Sequence, residues 1–289
     1  MAIVTHTENQ VMCRADLLAM GMRPKQITAA VRDGRLLRVR RDRYMLAPAA
    51  GIDRAVRVGG RLACVSLLDL LGVFVFDGSR VHVHLARSMS RMRSPEVRQR
   101  RFSERDRRHV VLHWWPLSSS DHTLGAVSVA DALAQAIRCQ DARSAVATVD
   151  SVLHLGILTP MEVRDVFAGL PERFRVILAL ADSSAESGTE TFMRLILRQL
   201  GLRYQTLVEI EGVGRVDFLV EGWLIIECDS KAHHEGWDKQ RRDRRRDLAA
   251  ARLGLVTLRP LAEDLLYDRQ IVIDGVRGLV SGSRPRRRR

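Results

Sequence analysis

Lysine is nearly missing from this 289-residue chain: three of the 47 basic residues are lysines (Lys25, Lys231, Lys239) and the other 44 are arginines. Such a bias reflects a GC-rich genome as readily as chemistry. Cysteine is scarce and scattered. Cys13, Cys64, Cys139 and Cys228 contain no C-x-x-C pair, which argues against a zinc site and a disulfide framework and points to a reducing, cytoplasmic setting. There is no Walker A lysine and no G-x-G-x-x-G after a strand, so nucleotide-driven chemistry is not expected. Long apolar runs are also lacking. The longest, at 73–76 and 176–181, fall far short of a membrane span, so no membrane partner is expected. The opening MAIVTHTENQVMCR has no basic segment followed by an apolar run, and it does not read as a secretory signal. No internal repeat is found.

What is present is positive charge. The chain carries a net +13 with a pI near 10.8 and an ordinary apolar fraction of 46%. Its length suits two or three domains. Five arginines lie in the tail at 281–289, so the rest still carries +8. A globular protein this basic is expected to meet a polyanion, nucleic acid first.

The N-terminal segment predicts a short helix at 14–20, a turn at Gly21, and a second helix at 24–33 opened by Pro24. Two short strands at 36–39 and 44–46 flank Arg40-Arg41-Asp42-Arg43. Helix, turn, helix and basic hairpin is the order of a winged helix-turn-helix, whose second helix enters the major groove while the wing reaches phosphates. Arg23, Lys25, Gln26, Thr28 and Arg32 on the second helix, with Arg41 and Arg43 on the wing, are the expected DNA contacts. Residues 51–180 predict a buried helix at 60–71, strands at 81–85 and 110–115, and helices at 128–138, 142–155 and 160–168. The arginine-rich stretch 87–108 between the strands reads as a solvated loop. His82 and His84 share one strand face and could bind a metal with His113 on a neighbouring strand, but nothing nearby supplies a carboxylate or cysteine, so all three read as structural.

The chemistry is expected in 181–280, in the order α-β-β-β-α-β. In the hairpin at 215–229 the even positions Val216, Phe218, Val220, Leu224, Ile226 and Cys228 are all apolar and predict one continuous core face. The odd positions include Asp217, Glu227, Asp229 and Lys231. A three-residue loop 220–222 would pair Asp217 with Ile225 and set Asp217 diagonal to Glu227 on one face. A two-residue loop would separate them. Carboxylates so close repel unless a divalent cation joins them, and Mg²⁺ takes one or two carboxylates with water and substrate phosphate.

The succession Glu190, Asp217, Glu227-Cys-Asp229-Ser-Lys231 on a helix followed by a hairpin resembles the PD-(D/E)xK nuclease superfamily. More narrowly, RVDFLVEGWLIIECDSKAHH followed by RRDRRRDLAAARLGLVTLRP is similar to restriction-endonuclease-like domains akin to the very-short-patch repair endonucleases. The resemblance spans about a hundred residues. It implies that Glu190 is the helical acid, that Asp217 and Glu227 are the metal ligands for Mg²⁺ (or Mn²⁺), and that Asp229 is the second acid of E-x-D. It also makes His233 or His234 the trailing histidine and Asp243 and Arg246 the helical R-D-x-x-R pair; Arg242 and Arg246, on the arginine-dense helix expected at 238–253, are the expected contacts to DNA phosphates. Ser230 stands where the family has glycine. The superfamily lysine position is filled by Asp229 on one alignment and by Lys231, one pleat on, in the other. The N-terminal segment RADLLAMGMRPKQITAAVRDGRLLRVRRDRYMLA resembles the winged helix of AbiEi-type antitoxins, which repress by binding operator DNA.

The expectation is therefore an α/β protein in four parts. They are a winged helix-turn-helix at 1–50, a middle α/β linking domain at 51–180, a restriction-endonuclease-like α/β sheet domain at 181–280, and a disordered basic tail at 281–289. Its expected partner is double-stranded DNA, with a second copy of the chain and a cognate toxin as further candidates. Its expected activity is metal-dependent endodeoxyribonuclease. The alternative is an antitoxin-type transcriptional autoregulator whose nuclease-like domain is inactive.

Overall fold

The computed structural model describes residues 11–49, 51–228 and 237–282, with backbone alone for 237–240. It is mixed α/β, 46% helix and 16% strand, with several small sheets. The chain divides into two compact units, Met1–Leu180 and Ala181–Arg289. Among the described residues no helix is long and apolar enough to cross a membrane.

The first unit opens with α1 (Arg14–Ala19) and α2 (Pro24–Arg32), followed by the hairpin β1 (Leu37–Arg40) and β2 (Arg43–Met45). Pro24 starts α2, where a missing N–H costs nothing. The Arg23 N–H that would be orphaned there donates to Gln26 Oε1 at 2.7 Å. Leu17, Ile27, Ala30, Leu36 and Tyr44 form a small core between helices and hairpin. Met12 and Tyr44 exchange two backbone hydrogen bonds of 2.8 Å, adding a third short pairing to the hairpin.

Next come α3 (Ile52–Val58), β3 (Arg61–Leu62) and α4 (Cys64–Leu70). The single helix expected at 60–71 is thus a strand and a shorter helix. The reason is tertiary. Gly60 lies so close to the next strand that an added Cβ would sit 2.1 Å from the His84 carbonyl oxygen, so the chain here pairs with that strand instead of coiling. Strand β4 (Val81–His84) stands between β3 (antiparallel) and β5 (Val110–His113, parallel).

The stretch linking β4 to β5 holds the one-turn helix α5 (Glu104–Arg107) and is not simply solvated. The buried carboxylate of Asp106 gathers it, accepting hydrogen bonds from Ser94 Oγ (3.1 Å), Arg100 Nη2 (2.6 Å) and the Ser103 hydroxyl (2.7 Å). Helices α6 (Val129–Cys139), α7 (Ala142–His154) and α8 (Pro160–Ala168) follow as expected, capped by Ser128, Asp141 and Thr159. A 3₁₀ turn (Glu172–Phe174) and α9 (Arg175–Leu180) complete the unit. Helix α4 packs on α6, and α9 on α7.

The second unit runs α10 (Gly188–Gln199), β6 (Tyr204–Ile210), β7 (Gly214–Val220), β8 (Leu224–Ile226), α11 (Trp237–Arg252), β9 (Val256–Leu258), α12 (Ala262–Tyr267) and α13 (Arg269–Gly282). The sheet order is β6-β7-β8-β9. The first two pairings are antiparallel and the last is parallel. Met193, Ile196 and Leu197 of α10 pack with Phe218, Val220, Leu224, Ile226 and Cys228, and with Val272, Ile273 and Val276 of α13. That burial carries helix α13 through residues 281 and 282, which the sequence assigns to a disordered tail. Residues 283–289 lie outside the described residues.

The even positions of the hairpin do not form one face. Val216 packs instead with Val213, Ile225 and Ala250 on the α11 side. The cause is a break in the neighbouring strand. Leu207 takes a left-handed φ of 52°, and the β6–β7 ladder skips the Leu207–Asp217 position. Phe218 anchors the other side, 2% exposed and edge-to-face with Tyr204 at 6.0 Å between ring centres. Phe218→Ala should therefore destabilise the second unit by about 3–5 kcal/mol. Denaturant unfolding followed by tryptophan fluorescence checks this, and a loss below about 1 kcal/mol would place the ring outside the core.

Candidate active site on the second-unit hairpin

The turn between β7 and β8 sets the geometry. Val220 pairs Leu224, so the loop is the three residues 221–223, one position later than the sequence reading placed it. Glu221 and Gly222 both take positive φ, 49° and 77°, which brings the chain back across itself. Gly222 adopts this at no steric cost. Glu221 is held in it by Arg203, whose backbone N–H and Nη2 donate to its carboxylate at 2.8 and 2.9 Å. Leu219 pairs Ile225 and Phe218 pairs Ile226. Continued by one residue, this register sets Asp217 directly opposite Glu227 rather than diagonal to it.

Around that pair the carboxylates are held firmly. Asp217 Oδ2 accepts the Cys228 N–H at 2.7 Å. Glu190, buried in the first turn of α10, accepts from Ser187 Oγ and the Glu186 N–H, both at 2.8 Å. Glu227 Oε1 accepts from Arg246 Nη2 at 2.8 Å, with Arg259 Nη2 at 3.9 Å. Burial raises the pKa of all three acids above the ordinary carboxylate range. Mutual repulsion adds to it: Asp217 acts on Glu190 and on Glu227, and Glu186 acts on Glu190 and Asp217. Burial, followed by these same three charges, also pushes the Cys228 thiol well up.

One participant escapes a sequence reading. Glu186 is a fourth acid of the group, bonded to Arg215 Nη2 at 2.7 Å. Nothing but the fold brings it there. Arg246, expected as a phosphate contact, has its guanidinium engaged by acceptors of its own unit. Its Nε and Nη2 donate to the carbonyls of Val213 (3.1 Å) and Arg215 (2.6 Å), and Nη2 also reaches Glu227. It ties α11 to β7 and to Glu227. Arg242, one turn earlier, is exposed. Asp229, Lys231, His233 and His234 lie outside the described residues.

The expected DNA contacts of the first unit divide in the same way. Arg23, Lys25, Gln26, Thr28, Arg32 and Arg41 are exposed, and Arg43 is half-buried. Yet Gln26 spends its carbonyl on the Arg23 N–H, and Thr28 Oγ1 donates to the Pro24 carbonyl at 3.2 Å. Arg32 pairs with Asp33 at 3.1 Å, and Arg43 donates to the Asp42 carbonyl at 2.6 Å. Arg40 turns inward, donating to the carbonyls of Arg57 and Arg91 at 2.7 Å each.

A second group of donors gathers in the first unit. Cys64, His82, His113 and Cys139 present one ligand atom each, all within 4.8 Å of one another. Among the described residues this is the one group of three or more metal-ligating side chains gathered so tightly, and Glu190, Asp217 and Glu227 are not so close. The sequence reading separated the cysteines and set the histidines aside as structural. His84 lies outside the group, 3.3 Å from Gln135 Nε2.

No protein-family model matches the chain, and no curated protein matches it.

The raised carboxyls of the hairpin have a stability consequence. An acid whose folded pKa is raised stabilises fully below its unfolded pKa, and that stabilisation is lost as pH rises through the folded value. In EDTA, the wild-type melting temperature should fall relative to that of Asp217→Asn as pH rises from the ordinary carboxylate range toward neutrality. The asparagine oxygen still accepts the Cys228 N–H. Parallel melting curves for the two proteins would show that neither burial nor its neighbours raise the Asp217 carboxyl.

Proposed function

We propose that the second unit is a restriction-endonuclease-like domain that hydrolyses DNA phosphodiester bonds with Mg²⁺ (or Mn²⁺), and that α1, α2 and the β1–β2 hairpin form a winged helix that binds duplex DNA. The observation that carries the reading is the register, which continued one residue past Phe218–Ile226 sets the half-buried Asp217 opposite the buried Glu227, both raised in pKa, with Glu190 repelled by Asp217. Groups shifted together in this manner mark sites built for a cation or for proton transfer. The element order α10-β6-β7-β8-α11-β9 supports the same reading.

Asp217 and Glu227 offer the hard oxygen donors that Mg²⁺ prefers. The bound ion would polarise the scissile phosphate and lower the pKa of a bound water. The Cys228 N–H holds Asp217 in place and Arg246 holds Glu227, so both carboxylates are oriented in advance. Glu190 completes the charge of the group. Lys231, His233 and His234, next along the chain, are the candidates to steady the attacking water. Lys25, Arg41 and Arg242, exposed on their elements, are the side chains best placed to meet phosphates.

A second reading has its own observation. Glu227 is already neutralised by Arg246, and both oxygens of Glu190 already accept hydrogen bonds. A hairpin satisfied in this way suits an antitoxin-type regulator that binds its operator through the winged helix and cleaves nothing.

The decisive experiment is cleavage of duplex DNA with Mg²⁺ against EDTA. Cleavage should require the metal and fall more than about a hundredfold in Asp217→Asn, since even residues that merely orient a ligand are worth 10–100-fold. No cleavage in any divalent ion, beside metal-independent DNA binding, favours the regulator. Binding should weaken steeply with salt, and Lys25→Ala should reduce the slope of log K against log salt by about one. A slope unchanged by that substitution would take α2 off the phosphates.

A further inference from the structure

The geometry points to a structural zinc site in the first unit, held by Cys64 Sγ, His82 Nδ1, His113 Nε2 and Cys139 Sγ. Two thiolates and two imidazoles in a tetrahedron are a donor set for Zn²⁺. With Zn–N near 2.0–2.1 Å and Zn–S near 2.3 Å, a tetrahedral site spaces its nitrogens by about 3.4 Å and nitrogen from sulfur by about 3.6 Å. Here His82 Nδ1 lies 3.1 Å from His113 Nε2 and 3.9 Å from Cys139 Sγ. All four donors lie within 4.8 Å of one another.

Each ligand is delivered by a different element, which is why no sequence spacing announces the site. His82 lies on β4 and His113 on β5. The parallel register that pairs His82 with Val111 and His84 with His113 puts both ring systems on one face of the sheet. Cys139 ends α6 and Cys64 begins α4, two helices that pack together. Cys64 is fully buried yet takes a left-handed φ of 52°, a conformation that a non-glycine residue keeps where its surroundings over-determine it. Aiming its sulfur at the two histidines is such a constraint. His82 and His113 are buried as well, and Trp115 stacks on the His113 ring at 5.1 Å between centres, fixing its plane.

Cys139 is the most exposed of the four. It lines a cavity of about 190 Å³ together with His82, Asp77, Arg80 and Ser144, which gives an ion a way in. With four protein ligands the tetrahedron is full and leaves no position for substrate. The ion would clamp α4, α6, β4 and β5. It is distinct from the Mg²⁺ proposed for the hairpin, since the donors are soft and belong to the other compact unit.

The test uses the full chain, purified reduced and without chelator. The expected result is about one zinc per chain. After exchange to cobalt, the visible ligand-field bands of a tetrahedral ion and thiolate-to-cobalt charge transfer should appear. Cys139→Ser, at the least buried ligand, should lower zinc retention against a competing chelator more than about tenfold. Cys13→Ser and Asp217→Asn should each keep the full zinc content. The last variant separates this site from the hairpin, whose cleavage activity it removes. Wild-type protein that holds neither zinc nor cobalt, or that carries a Cys64–Cys139 disulfide when isolated with thiols protected, overturns the proposal. So does zinc lost from Asp217→Asn and kept in Cys139→Ser. The wild-type zinc count decides the matter even where a ligand variant fails to fold.

Discussion

The register of the β7–β8 hairpin governs the second unit. A loop of three residues pairs Val220 with Leu224 and Phe218 with Ile226, a register that, continued by one residue, sets Asp217 opposite Glu227. Side chains alternate between the two faces of a strand, so a slip of one residue would send one of these acids to the other face. The turn that prevents the slip depends on two left-handed residues in succession. Glycine supplies one freely. The other is Glu221, whose carboxylate is bound by Arg203 at the start of β6. A salt bridge this exposed contributes little to stability in general. Its value here is geometric, because it pins the turn that aligns the site.

Asp217 sits where order is interrupted. The β6–β7 ladder omits its position opposite Leu207, and the apolar face of β7 changes sides there, from Val216 on the α11 side to Phe218 on the α10 side. An acid at such a break does not face a regular ladder of backbone groups. It accepts the Cys228 N–H across the hairpin through Oδ2. The energetic cost is visible in the raised pKa values of Glu190, Asp217 and Glu227, which burial causes first and mutual repulsion second. Arg246 offsets part of it by anchoring itself on two backbone carbonyls and presenting its charge to Glu227.

The first unit solves a different problem with the same means. Its three-stranded sheet has a parallel pair, β4 and β5, and the long connection between them is rich in arginine. One buried carboxylate, Asp106, organises that connection through Ser94, Arg100 and Ser103. The parallel register places His82 and His113 on one face, and the packing of α4 on α6 brings two cysteines to them. Burial first, and then the charges of His82 and His84, holds the His113 ring down to about 3, so it is neutral across the physiological range. The Cys139 thiol is brought down to about 5 by its hydrogen bonds with Cys64 and His82, while burial pushes Cys64 up.

Much of this was legible from local pattern. Helices α1, α2, α6, α7, α8 and α10 and strand β6 follow from apolar spacing, caps, Pro24 and Pro160, because these signals act within one or two turns of chain. The acids Asp217 and Glu227 stood out because charge on a half-covered strand is costly and rarely kept without cause, whereas Glu190, on a helix, was singled out only by the family resemblance. Contacts between distant segments were not legible. Gly60 against the His84 carbonyl turned part of an apparent helix into strand β3. The left-handed Leu207 divided a face that parity alone made continuous, and Arg246 turned from solvent to Glu227. The Cys64–His82–His113–Cys139 group has no sequence signature because its members come from four elements that meet only when the sheet and helices pack. Composition and periodicity determine which segments coil and which extend. Which side chains then meet depends on register and packing, and these are properties of the folded chain as a whole.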